Sequence, residues 1–116
     1  MNQAFPIFLH FLAGIFGAIG QYFYKKGGER LSQVPLWQNW SILLGILSFC
    51  LVMVLFVLSY RQGARISTVY PVYATTFVWG AMLGYWLDNE PLNATLLSGI
   101  AIILLGVAVV GVGASR

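Results

Sequence analysis

Residues 67–87 read STVYPVYATTFVWGAMLGYWL, residues 88–93 DNEPLN and residues 94–113 ATLLSGIAIILLGVAVVGVG. An α-helix needs about 20 apolar residues to cross the roughly 30 Å hydrocarbon core of a bilayer, and both long stretches reach that length. Neither holds Asp, Glu, Lys or Arg, each of which costs about 2.5 to 3.5 kcal/mol at the centre of an inserted helix. Between them, Asn89, Pro91 and Asn93 favour turns and helix caps. The pattern reads as two antiparallel membrane-crossing helices joined by a short polar turn.

The same pattern recurs toward the N-terminus, with uncharged apolar runs over about 5–24 and 40–60. The connection 25–39, KKGGERLSQVPLWQN, is the longest and carries helix-stopping residues, Gly27-Gly28 and Pro35, whereas 61–65 is only RQGAR. Short connections set sequential helices antiparallel. The expected fold is all-α and integral to the membrane: a single four-helix transmembrane domain over 1–116, packed as one compact unit. Composition points the same way. Of 116 residues, 59% are apolar and 8% charged, where a soluble domain carries about 25% charged residues. The first run lacks the basic leader and small-residue cleavage site of a signal peptide and is expected to be retained.

Six basic and three acidic residues give a net charge of +3. They lie between the apolar runs and form no clustered basic face, which argues against nucleic acid as a partner and for lipid headgroups. With four crossings, Arg61, Arg65 and Arg116 share one membrane surface with the termini, and Lys25, Lys26 and Arg30 share the other. Three against three leaves no bias to fix orientation. Dual insertion as an antiparallel dimer, orientation by a partner, and dominance of one connection all stay open. Trp37, Trp40, Tyr60, Tyr85 and Trp86 fall where rings anchor helices at headgroups, whereas Trp79 falls near mid-span. Cys50 is single and has no partner for a disulfide or CxxC site. No catalytic triad, intramembrane carboxylate pair or set of metal ligands is present, so neither enzyme chemistry nor a metal or cofactor is expected. His10 stands alone in the first span and reads as structural.

Small residues mark candidate packing faces. Gly80 and Gly84 form a GxxxG pair on the third span, and Gly99, Gly106 and Gly113 recur every seven residues on the fourth. Gly14, Gly17 and Gly20 recur along the first. The polar residues are few. Gln21 and Lys25 are four apart and share a helix face; Lys25 either snorkels to the interface or points into a hydrated vestibule. Pro71, flanked by Tyr70 and Tyr73, either kinks the third span or breaks it to line a path. Glu90 either favours the start of the fourth helix, pairs with a base such as Arg30, or meets an amine on a ligand.

These residues resemble the four-helix members of the drug/metabolite transporter superfamily. Tyr70-Pro71 in the third span, the Glu90-Pro91 turn and the glycine-spaced fourth helix follow the EamA-type half-transporter pattern. Within the superfamily the chain is most similar to the small flippase subunits for 4-amino-4-deoxy-arabinose-phosphoundecaprenol. The resemblance runs through Gly20, Gln21 and Lys25, then Tyr70, Pro71, Phe77, Val78, Trp79, Glu90 and Pro91. Small multidrug resistance transporters are the other relatives by pattern. Their first-span glutamate corresponds to Gly17 here, and that span holds no acid, which counts against proton-coupled drug exchange.

The resemblance implies a multi-pass inner-membrane transporter or flippase for a lipid-linked sugar phosphate or similar amphiphile, working as a homodimer or with a similar four-helix subunit. Gln21, Lys25, Tyr70, Tyr73, Trp79 and Glu90 would bind substrate, and Lys26, Arg61 and Arg65 would hold phosphate at the headgroups. Efflux of small hydrophobic or cationic solutes, and a non-transporting scaffold subunit, are the alternatives.

Overall fold

The structure, a computed structural model, describes residues 3–114; Arg116, counted above on one membrane surface, lies outside them. Helix α1 spans Ala4–Glu29 and α2 spans Trp40–Arg61, with a 3₁₀ turn at Leu36–Gln38 before it. The third crossing is in pieces: α3 (Ile66–Val69), a 3₁₀ segment (Tyr70–Thr75) and α4 (Thr76–Asp88). Helix α5 spans Ala94–Ala114.

Three of these, α1, α2 and α5, are each long and apolar enough to cross a membrane alone. The broken third crossing reaches across as well. At about 1.5 Å per α-helical and 2.0 Å per 3₁₀ residue it measures roughly 37 Å. Pro71 explains the break: it has no N–H to donate, and its ring crowds the carbonyl four residues earlier. The chain is an all-α integral membrane protein.

Side-chain bonds tie each end of the layer together. At one end, Gln3 Nε2 donates to the Gly63 carbonyl at 3.3 Å, and the Arg65 backbone N–H donates to Gln3 Oε1 at 3.1 Å. Arg65 Nη1 donates to the Ala114 carbonyl at 3.3 Å, which brings the end of α5 to the same surface. At the other end, Lys25 and Lys26 meet Asp88. This alternation is what four crossings require.

Helix α1 runs past the expected stop at Gly27-Gly28, because that turn is held by its neighbour. Buried Asn39 donates through Nδ2 to the Gly27 carbonyl at 2.8 Å, and its Oδ1 caps α2 by accepting from the Ile42 N–H at 3.4 Å. A Cβ on Gly27 would strike Ile42. The extra helical turn fixes the directions in which Lys25 and Lys26 project.

The expected compact unit is not what forms. The helices lie side by side in the order α2, α1, third crossing, α5, in a layer measuring 52 × 37 × 16 Å. The radius of gyration is 16.0 Å, against about 13 Å for a globular chain of similar length. The cause lies in where the small residues sit. On α1, Gly20 meets Phe49 of α2, whereas Gly14 and Gly17 meet Thr75 and Tyr73 of the third crossing, so α1 has close neighbours on both sides. Helix α5 buries no residue. Lipid is as apolar as leucine, so no hydrophobic force folds the layer into a bundle.

Candidate functional site

A groove follows the seam between α1 and α4. Its deeper part is a cavity of about 440 Å³ lined by Gln21, Tyr73, Thr76, Phe77, Gly80 and Glu90. Toward the membrane surface a smaller cavity of about 130 Å³ is lined by Gln21, Tyr22, Lys25, Gly84 and Glu90. Ala18, Gln21, Gly80 and Glu90 belong to both, so the two form one passage. Its width comes from small residues: nothing lies within 4 Å of a Cβ placed on Gly80.

The mouth of the groove is a charge cluster. Lys25 bridges two carboxylates, Asp88 Oδ2 at 2.8 Å and Glu90 Oε2. Lys26 reaches Asp88 Oδ1 at 2.5 Å and Glu29 at 3.7 Å. The hydrogen bonds from Lys25 and then Lys26 hold the Asp88 carboxyl below the ordinary carboxylate range. Those from Asp88 and Glu90 push the Lys25 ammonium up, and the one from Asp88 raises Lys26. The two acids differ in access: the Asp88 side chain is 7% exposed and that of Glu90 49%. Asp88 is therefore an anchor beneath both lysines, and Glu90 is the half-open partner facing the groove.

Local backbone chemistry aims Glu90. Helix α4 ends at Asn89 in the left-handed region (φ 55°), a conformation asparagine tolerates better than most residues. The chain reverses there, and the Glu90 N–H donates to the Gly84 carbonyl at 3.0 Å. The Glu90 carboxylate then lies where a Cβ on Gly84 would be. Asn93 caps α5 by accepting the Leu96 N–H at 2.8 Å, closing the turn.

Four of the residues expected to bind substrate, Gln21, Lys25, Tyr73 and Glu90, line this one passage. Lys26 adjoins it through Asp88. Glu90 pairs with Lys25, where Arg30 was the named base. Tyr70 is exposed and lines neither cavity. Trp79 turns toward α1, its ring edge-on to Phe11 at 5.8 Å. Arg61 and Arg65 stand at the opposite membrane surface, with Arg65 bonded to Ala114.

Among the glycines named for packing, Gly80 and Gly84 open the groove and seat Glu90, and Gly99, Gly106 and Gly113 face open space. Gly17 is covered by the Tyr73 ring. Asp88, which pairs with both lysines, is not among the residues singled out from the sequence. A carboxylate on the last residue of a helix sits at the negative end of its dipole and calls for a nearby cation, a signal present in the sequence.

No protein-family profile matches the chain, and no solved structure matches it. Two curated proteins do. One is the probable 4-amino-4-deoxy-L-arabinose-phosphoundecaprenol flippase subunit ArnE of Erwinia tasmaniensis, 31% identical over 110 residues, which cover 90% of this chain and 95% of that protein. The other is the protein of the same description from Klebsiella pneumoniae, 27% identical over 88 residues, covering 75% of this chain and 73% of that one. Both names describe transport rather than catalysis. With its apolar helices and bacterial relatives, the chain is a multi-pass protein of the bacterial inner membrane. It belongs to the ArnE family of small membrane flippase subunits.

Proposed function

We propose that this protein moves a polyprenyl-phosphate-linked amino sugar between leaflets, and that the Lys25–Glu90 pair at the groove mouth recognises its headgroup. The carrying observation is that pair: one cation and one half-exposed carboxylate, side by side at the entrance of a passage between helices. The ligand named for the relatives bears an amine and a phosphate. Such a headgroup exchanges for the pair ion by ion. Its ammonium takes the place of Lys25 on Glu90, and its phosphate takes the place of Glu90 on Lys25. Asp88 keeps Lys25 in position during the exchange. Gln21, Thr76 and the Tyr73 hydroxyl offer neutral hydrogen bonds to the sugar deeper in, and the polyprenyl chain stays in lipid beside the groove.

A single layer 16 Å thick walls the groove incompletely. A second four-helix subunit, another copy or a similar chain, completes it, docked along the uncovered glycine stripe of α5. The test is leaflet exchange of a fluorescent polyprenyl-phosphate amino sugar in proteoliposomes. Wild type is expected to exchange it, alone or with its partner subunit. Glu90→Gln and Lys25→Met are each expected to slow exchange at least about tenfold, the usual scale for losing a charged contact in a partly dry site. A neutral-sugar analogue is expected to lose its dependence on Glu90 and keep its dependence on Lys25. Exchange equal in all three proteins would refute the assignment.

A further inference from the structure

A second cavity, of about 520 Å³, opens at the other membrane surface, between α1, the first half of the third crossing and the end of α5. Its polar rim is Gln3, Arg65 and Thr68, and its walls include Val72, Val107 and Ala108. Arg65 is well fixed there. Its backbone is tied to Gln3, and one of its five N–H donors goes to the Ala114 carbonyl at 3.3 Å.

The charges at this end are unlike those at the other. All three side-chain carboxylates of the protein, Glu29, Asp88 and Glu90, lie at the opposite surface, where they neutralise Lys25 and Lys26. Arg61 and Arg65 have no side-chain acid at their own surface. A guanidinium at the rim of a cleft walled by Val72, Val107 and Ala108 matches a phosphate with an acyl chain below it.

We infer that this cleft is a second lipid site, which binds the phosphate of an anionic membrane phospholipid on Arg65 and Thr68 with one acyl chain against Val72, Val107 and Ala108. The site stands apart from the Lys25–Glu90 groove, and its occupancy does not depend on transport. The 3₁₀ segment Tyr70–Thr75 divides the two: Val72 faces the phospholipid cleft and Tyr73 the groove. Phospholipid bound at one surface therefore presses on the same irregular segment that floors the transport passage.

The test is a titration of phosphatidylglycerol into the protein in phosphatidylcholine bicelles, followed by the backbone NMR signals of Thr68 and Ala108. Saturable shifts at both positions are expected. Arg65→Gln is expected to weaken binding at least about fivefold, the scale of one basic residue at an anionic surface, and Arg65→Lys to retain most of it. Lys25→Met is expected to leave the titration unchanged, which separates this site from the proposed transport groove. Equal binding by wild type and Arg65→Gln would overturn the assignment. Saturation of the same shifts by inorganic phosphate without phosphatidylglycerol would overturn its lipid identity.

Discussion

Gly84 and Glu90 occupy one small volume, and the positions of Asn89 and Lys25 follow from it. Any side chain on Gly84 displaces the Glu90 carboxylate. Gly84→Val is therefore expected to unseat Glu90 from Lys25 and reduce substrate exchange about as much as Glu90→Gln, while the spectrum of a helical protein persists. Circular dichroism together with the leaflet assay checks this; full exchange by Gly84→Val would contradict it. The charge cluster also has a defined pH window. Asp88 has a lowered folded value, so its contribution is complete above its ordinary 3.8 and is lost as pH falls through the lowered one. Lys25 and Lys26 have raised values, so theirs is complete below 10.5 and is lost as pH rises beyond it. Side-chain ¹⁵N signals of both lysines are expected to stay constant from about pH 5 to 9, and to move in Asp88→Asn. The shared face of Gln21 and Lys25 was legible from their spacing. The partner of Glu90 was not, because 65 residues separate it from Lys25 and only the packing of α4 on α1 brings them together.

At the scale of elements, the third crossing and the first connection hold the most information. Pro71 announced an interruption, yet a kink and a full break look identical in sequence. The structure has six residues of 3₁₀ helix, a form often found where a helix hinges. Pro71→Ala restores a donor and removes the ring clash. It is expected to convert Tyr70–Thr75 to regular α-helix, visible in backbone chemical shifts, and to narrow the groove by turning Tyr73. Unchanged shifts across 70–75 would show that tertiary contacts, rather than proline, hold the segment. In the first connection, Gly27-Gly28 read as a helix stop, but Asn39 and Ile42 stabilise one more turn. Asn39→Ala removes both a cap and a buried bond to Gly27. It is expected to cost about 1 to 2 kcal/mol, measurable as a lowered denaturation midpoint in detergent.

For the whole molecule, hydropathy and connection length were enough to read an all-α membrane chain with four crossings. The flat arrangement was not readable, because an apolar helix looks the same in sequence whether it faces lipid or another helix. Helix α5 shows the difficulty: its heptad glycines are a packing signal, and within this chain they contact nothing. If a second subunit docks there, Gly106→Cys in a Cys50→Ser background is expected to form an oxidative cross-link in membranes, and Gly106→Phe to reduce dimer yield. Absence of any cross-link along α5 would move the subunit contact elsewhere in the layer.

The existence of a hydrated passage between α1 and α4 can be measured directly by cysteine accessibility in native membranes, again with Cys50→Ser. Gln21→Cys and Ala81→Cys are expected to react with a charged, membrane-impermeant thiol reagent, and to be shielded by the polyprenyl-phosphate amino sugar. Met53→Cys, on the outward face of α2, is expected to stay unreactive. If Gln21→Cys and Ala81→Cys prove as inert as Met53→Cys, the seam is filled with lipid and there is no path for a headgroup.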